Sequence, residues 1–445
     1  MTTPEAHTAQ RARSLLEARP IRHVVVLGAN GTMGYGSGAL FTTAVPRVTF
    51  LARTREKAAE GLAAAQRAVR SPTVADRVKV GSYEELEAAV ADADLVFEAV
   101  TEDLALKRGF FERVDAARSE DALVATVTSG LSIEALVEGR SESFRRHFAG
   151  LHFFNPPSVI VGTELVGCRD TAPEVLDFLE AFGARRLGRA MVRVADRPGF
   201  AGNRIGFKVL NECAQLVPEH GVVLVERLVG PYTGRALTPL ATIDLVGWDI
   251  HRAIVDNIHA LAPDEAHASL ALPPWMRALL EAGTLGNKSG KGFFRRDGKT
   301  KLALDPGTGD YRPVAEAKLP ELGFIDTISA LHRVGRYREA LAAFASAPGE
   351  PARLARRVVA GYLAYALHRV GEVTETLAGI DDIMGFGFNW APPGALVDLL
   401  GAPVARRLVE EAGLAMPRLL ANANGGPTRL HHRSLAGVGK YFVAG

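Results

Sequence analysis

A chain of 445 residues with 47% hydrophobic content is long enough to bury more than one core, so two or three domains are expected. Its 52 basic and 50 acidic residues leave a net charge of +2, which gives no global electrostatic case for binding nucleic acid or a membrane surface. The two cysteines, Cys168 and Cys213, supply neither a disulfide framework nor metal-ligand spacing, so no metal site is expected. No apolar stretch reaches bilayer length and the first residues lack a signal-like apolar core, so a cytoplasmic protein without membrane insertion is expected.

Residues 1–20 are polar and rich in Arg and Ala, and read as a mobile arm or short helix. The apolar run His23–Leu27 then breaks into Gly28-Ala29-Asn30-Gly31-Thr32-Met33-Gly34. A strand that turns through glycines into a helix can hold a pyrophosphate on backbone N–H groups and the helix N-terminus. The spacing is GxxGxxG, one residue longer than GxGxxG, and a lone glycine motif is weak evidence; its place after a strand strengthens it. Gly36 and Gly38 continue into the helix, where each costs about 1 kcal/mol against alanine, so close contact with a dinucleotide or a sheet must favour them.

Strand-like runs follow at 47–52, 94–100, 122–128, 148–154 and 190–195, with helical patterns at 54–69, 83–91 and 104–117. Such alternation predicts a Rossmann-type α/β domain over 21–196, its parallel sheet covered on both faces. Ligands on such sheets sit at the carboxyl ends of the strands, and Gly28, Glu98, Ser129 and His152 all fall at or near such ends. In the run GLHFFNPPSVIVGTELVG, His152 lies in an apolar strand with Glu164 twelve positions on. A carboxylate that fixes the tautomer of an imidazole makes it a proton acceptor near neutral pH, which suits alcohol oxidation or carbonyl reduction. Taken alone, such a histidine is more often a core residue bonded to backbone.

After 196–198 the pattern turns helical, giving a helical domain over 197–300. The stretch 295–320, with Asp305-Pro306-Gly307-Thr308-Gly309, reads as a crossing loop that leads into a linker with a helical segment at 301–350, and helical pattern resumes near Ile325. Residues 351–445 read as a second, degenerate helical repeat. Gly230 precedes Asp244-Leu245-Val246-Gly247 by fourteen positions and Gly385 precedes Asp398-Leu399-Leu400-Gly401 by thirteen, while Asn203-Arg204-Ile205 corresponds to Arg356-Arg357-Val358. The second copy should cover the apolar face of the first, making a pseudo-dimer inside one chain.

These segments, in this order, resemble the L-3-hydroxyacyl-CoA dehydrogenase family. GANGTMG is similar to its nucleotide loop, FEAVTEDLALK (97–107) to the segment beside the nicotinamide ribose, TSGLSI (128–133) to its substrate serine segment, and GLHFFNPP to its histidine segment. DRPGFAGNRI (196–205) resembles its domain junction, and DLVGWD (244–249) and GNKSGKGFF (286–294) its helical domain. Duplicated helical domains resemble those in the dehydrogenase portion of multifunctional fatty-acid oxidation proteins. The resemblance implies His152 as general base, Glu164 as its orienting carboxylate, and Ser129 and Asn203 as hydrogen-bonding partners of an acyl-CoA substrate's oxygens. It implies NAD bound by Gly28, Asn30, Gly31, Thr32, Met33, Gly34, Glu102 and Lys107, with beta-oxidation as the metabolic setting.

Two positions depart from that pattern. After the second strand the chain reads Phe50-Leu51-Ala52-Arg53-Thr54-Arg55, with no acid for the adenosine ribose. An arginine there can accept a 2′-phosphate, so Ala52 and Arg53 make NADP an alternative to NAD. Val127 stands where the family usually has asparagine. Lys107-Arg108, Lys288 and Lys291 are candidates for the CoA phosphates. The expected activity is interconversion of a (3S)-3-hydroxyacyl-CoA and a 3-ketoacyl-CoA; a non-CoA 3-hydroxy acid, a carrier-bound thioester, or a non-catalytic nucleotide-binding scaffold are the alternatives.

Overall fold

The computed structural model describes residues 4–423 and 429–442, which form two compact units, Met1–Phe200 and Ala201–Gly445. The first unit begins with α1 (Pro4–Ala18), a helix in which Arg11 pairs with Asp177. Next come β1 (His23–Leu27), α2 (Thr32–Phe41), β2 (Arg47–Ala52), α3 (Arg55–Val69), β3 (Val78–Ser82), α4 (Leu86–Val90) and β4 (Leu95–Glu98). They are followed by α5 (Leu104–Ala117), β5 (Leu123–Thr126), α6 (Ile133–Leu136), α7 (Glu142–Arg146), β6 (Phe148–Phe153), β7 (Gly162–Gly167), α8 (Pro173–Arg186) and β8 (Ala190–Val194).

β1 is buried at every position, as suits a central strand between two helical layers. The strand order is β3-β2-β1-β4-β5-β6-β7-β8, so β1 has β2 on one side and β4 on the other. That reversal of strand order opens a crevice at the carboxyl ends of β1 and β4. α3 and α5 begin where the sequence supplies a cap: Thr54 accepts from Lys57 N–H for α3, and Asp103 from Leu106 N–H at 2.7 Å for α5.

The sheet departs from the expected all-parallel arrangement at one place. β6 and β7 run antiparallel, because residues 154–161 are too few for a helical crossover, which takes a dozen or more. Residues 162–167 escaped the strand reading because glycines close both ends of the run, and 78–82 because three of its five positions are only half-buried.

Close packing explains the glycines. Gly28 has φ +78°, and a Cβ there would lie 2.3 Å from Ala99 O; one on Gly34 would lie 2.1 Å from Gly28 O. A Cβ on Gly38 would lie 2.3 Å from the Phe50 ring of β2, so close approach to the sheet is what favours glycine there. Gly109 in α5 meets nothing within 4 Å. Gly38→Ala should therefore destabilise by about 1–3 kcal/mol through overpacking, whereas Gly109→Ala should stabilise by about 0.5–1 kcal/mol, both read by denaturant melts.

The second unit is largely helical. α9 (Gly202–His220), α10 (Val222–Leu228), α11 (Pro239–Val246), α12 (Trp248–Leu261) and α13 (Pro274–Glu281) lead to β9 (Phe294–Asp297), β10 (Thr300–Leu304) and β11 (Tyr311–Pro313). These three strands form an antiparallel sheet where a crossing loop was expected; the Asp297-Gly298 turn signal was outweighed by the glycines and charges around it. The chain ends with α14 (Gly323–Arg333), α15 (Tyr337–Ser346), α16 (Glu350–His368), α17 (Leu377–Phe386), α18 (Pro393–Leu400), α19 (Ala402–Glu411) and α20 (Arg418–Asn422). No helix among the described residues is long and apolar enough to cross a membrane.

One arrangement occurs twice in this unit. α11 ends at Gly247, φ +101°, and α18 at Gly401, φ +85°, each followed at once by a new helix. Asp244 accepts from the backbone N–H groups of Phe293 and Phe294, both at 2.9 Å; Asp398 accepts from those of Leu430 and His431 at 2.9 and 3.0 Å. At the other end the match is looser, since Asn203 is the second residue of α9 and Arg356 the seventh of α16. The Arg235 guanidinium is buried between the rings of Tyr362 and Trp390, 4.9 and 4.7 Å from their centroids.

Glu226, on α10, is a half-buried carboxylate of this unit. Thr238 donates to it, but its Oε2 has no hydrogen-bond partner among the described residues, and burial pushes the carboxyl up to about 7. A raised carboxyl binds its proton more tightly folded than unfolded, so stability falls as pH rises from about 4.5 towards 7 and is level above that. Glu226→Gln should flatten the loss of melting temperature between pH 5 and pH 8 and make the protein more stable than wild type at pH 8.

Candidate active site

The antiparallel ladder of β6 and β7 sets His152 directly opposite Glu164. Cross-strand partners share one face, so their side chains meet: His152 Nδ1 and Glu164 Oε2 are 2.6 Å apart. Glu164 is fully buried and His152 is 5% exposed, with the rings of Phe154 and Phe200 at 5.0 and 5.8 Å from the imidazole. With Nδ1 bound to the carboxylate, Nε2 is the nitrogen left to take or give a proton.

The glycine turn lies at the carboxyl end of β1. Gly28 and Ala29 N–H both bond Leu51 O at 3.1 Å, Gly31 precedes α2 as its N-cap, and Thr32, Met33 and Gly34 form the first turn of that helix. Asn30 and Thr32 are exposed there. The orphan amides of a ten-residue helix, beside a turn where a side chain at Gly28 or Gly34 would strike backbone, fit a dinucleotide pyrophosphate. Arg53 is exposed at the end of β2, while Arg55 is engaged by Glu85 at 2.6 Å and by Val80 O.

Between these two features lies a network whose core the sequence reading did not assign. Glu98, fully buried at the end of β4, accepts from Lys107 Nζ at 2.7 and 2.9 Å, from Val100 N–H at 2.6 Å and from Thr126 Oγ1 at 2.6 Å. Lys107 also reaches Glu102 at 3.3 Å. Glu102 Oε1 in turn accepts from Thr128 Oγ1 at 2.6 Å and from the N–H groups of Ser129 and Gly130, both at 2.9 Å. These bonds and the lysine hold the Glu102 carboxyl below the usual range against the opposing effect of burial, whereas burial dominates at Glu98 and raises it. The signal available in sequence was a Glu and a Lys nine apart, one ending a strand and the other facing back to it from the next helix.

The cationic candidates for CoA phosphates are differently placed. Lys107 is 1% exposed and is held by the two carboxylates. Arg108 donates to Ala135 O and pairs with Glu138, and Lys288 pairs with Asp249. Lys291 is half-buried, and its carbonyl accepts from Gly286 N–H at 2.8 Å. Val127 is buried at the end of β5. Asn203 belongs to the second unit, where it is buried in the first turn of α9. Asp381, His431 and His432, also of that unit, bring ligand atoms within 4.8 Å of one another, but Asp381 is already engaged by His431 Nδ1 at 2.6 Å and Gly394 N–H at 2.8 Å.

A doubly covered sheet with a glycine turn at its switch point, joined to a helical unit, defines the class of dinucleotide-binding α/β dehydrogenases. The 3-hydroxyacyl-CoA dehydrogenase NAD binding domain matches residues 23–197 and the C-terminal domain of the same family matches residues 199–296. This chain belongs to the 3-hydroxyacyl-CoA dehydrogenase family, a family of NAD-binding oxidoreductases. A probable 3-hydroxyacyl-CoA dehydrogenase of Bacillus subtilis is 31% identical over 341 residues, 76% of this chain and 42% of that protein. The chain thus spans about two fifths of that longer relative. A probable 3-hydroxyacyl-CoA dehydrogenase of Caenorhabditis elegans is 31% identical over 62% of this chain and 93% of its own length. In fold, the chain is similar to the crystal structure of 3-hydroxybutyryl-CoA dehydrogenase from Escherichia coli K12, with TM-score 0.67 and 22% identity over 90% of this chain and 98% of that one.

Proposed function

We propose that this protein interconverts a (3S)-3-hydroxyacyl-CoA and the corresponding 3-ketoacyl-CoA, with His152 as the acid/base and Glu164 as its orienting anion. What carries the reading is the 2.6 Å contact between the two buried side chains. In oxidation the neutral imidazole takes the 3-hydroxyl proton at Nε2, and Glu164 steadies the positive ring that results. A bound nicotinamide supplies the hydride acceptor. In the reverse direction the imidazolium returns the proton to the 3-keto oxygen, while donors from Ser129 and Asn203 stabilise charge developing on the substrate's oxygens. Gly28, Asn30, Gly31, Thr32, Met33 and Gly34 hold the pyrophosphate of the dinucleotide. Exposed Arg53, in the acid-free stretch 50–55, favours use of NADPH as well as NADH. Similarity to probable 3-hydroxyacyl-CoA dehydrogenases supports the acyl-CoA substrate class.

The test mixes pure protein with acetoacetyl-CoA and longer 3-ketoacyl-CoAs, each with NADH and NADPH, and follows nicotinamide absorbance. Wild-type turnover is expected, with His152→Gln losing about 10²–10⁴-fold in kcat and Glu164→Gln losing less. Full activity in His152→Gln would overturn the mechanism, and strict NADH preference would remove Arg53 from the cofactor site.

The recurrence of an Asp-x-x-Gly helix end that catches two backbone amides, at Asp244 and again at Asp398, supports a duplicated helical domain whose second copy covers the first. Burial of Arg235 between Tyr362 and Trp390 favours the same reading. Truncation after residue 349 should strip that cation of both rings and expose apolar surface, giving aggregation or a new dimer on size exclusion. A soluble monomeric truncation product would overturn it.

A further inference from the structure

Burying a lysine and a glutamate together gains little over a well-packed apolar pair, because desolvation of both charges offsets their attraction. Lys107 and Glu98 are 1% and 0% exposed, yet each spends its hydrogen bonds in a definite direction. Glu98 Oε1 takes Val100 N–H and so fixes the chain just beyond β4, while its Oε2 takes Thr126 Oγ1 at the end of β5. The Thr126 hydroxyl oxygen in turn accepts Thr128 N–H at 3.2 Å. Lys107, anchored on both oxygens of Glu98, reaches Glu102, whose Oε1 gathers Thr128 Oγ1 and the N–H groups of Ser129 and Gly130. Two routes therefore run from one buried carboxylate to one turn: through Thr126 to Thr128, and through Lys107 and Glu102 to residues 128–130.

We propose that Glu98 and Thr126 are positioning residues of the dehydrogenase, which fix the 128–130 turn so that Ser129 meets the substrate in one orientation. The inference rests on the reading of Ser129 given above. Neither side chain touches substrate; each acts through the turn. A hydroxyl aimed by a preformed turn needs no reorganisation as charge develops, whereas a loosened turn gives part of that advantage back. Thr126 offers the cleaner test, since valine keeps the β-branched shape in a buried strand and removes only the hydroxyl.

Thr126→Val is expected to lower kcat about tenfold, and Thr126→Ser to stay within about twofold of wild type. In a Ser129→Ala background the Thr126→Val change should cost less than about twofold, because a residue that acts through Ser129 has nothing left to position. Equal losses in both backgrounds would mark Thr126 as merely structural and overturn the proposal. A second readout does not depend on turnover: hydrogen exchange at the Ser129 and Gly130 amides should quicken about tenfold or more in both Thr126→Val and Glu98→Gln, with β5 itself unchanged. Unchanged exchange at those amides overturns the positioning network whatever the activity. Wild-type protein silent on every acyl-CoA with either nicotinamide would instead overturn the dehydrogenase reading.

Discussion

The antiparallel pairing of β6 with β7 is the constraint on which the candidate site depends. A ladder of backbone hydrogen bonds, not the side chains themselves, brings residue 152 opposite residue 164. A slip of one residue would send the imidazole and the carboxylate to opposite faces of the sheet. Because Glu164 is fully buried, the hydrogen bond from the imidazole helps to offset the cost of taking its carboxylate out of water. The tautomer is therefore dictated by the fold before any substrate arrives.

Much of this was legible in the chain itself. Valine-rich runs flanked by Ala/Glu/Arg segments announce a doubly covered sheet, and the break from His23–Leu27 into glycines marks its switch point. Helix 104–117 is found where its pattern placed it, and 55–69 begins one residue after the Thr54 that caps it. His152 and Glu164 stood out as polar residues in apolar surroundings. What stayed hidden depends on partners distant in sequence. Nothing local says that 162–167 returns antiparallel to 148–153, nor that Lys107, which reads as a surface cation on a helix, turns inward to a carboxylate at a strand end. The small sheet 294–313 was masked because its strands are short and charged and its turns glycine-rich.

The second unit shows another use of buried charge. Arg204 pairs with Asp264 at 2.7 Å and reaches Tyr365 and Glu372, and Arg369 joins the same acids together with Glu265. Arg235, with two of its nitrogens lacking hydrogen-bond partners among the described residues, relies on aromatic faces instead. The first arrangement is directional and fixes how α9 and α16 approach; the second is tolerant of small shifts. Both lie between the α9–α13 segment and the α16–α18 segment, where a wholly apolar seam would specify orientation less sharply.

His431 and Asp381 repeat, atom for atom, the Nδ1-to-carboxylate distance of 2.6 Å found at His152 and Glu164, with burial just as deep. Yet this second dyad ties the segment 429–442 to α17. Histidine paired with an anion is thus as serviceable for fastening as for chemistry. Among the described residues a search for catalysts that scored only such deeply buried couples would return both pairs alike, and it is a place near the carboxyl end of a sheet strand that sets the first apart.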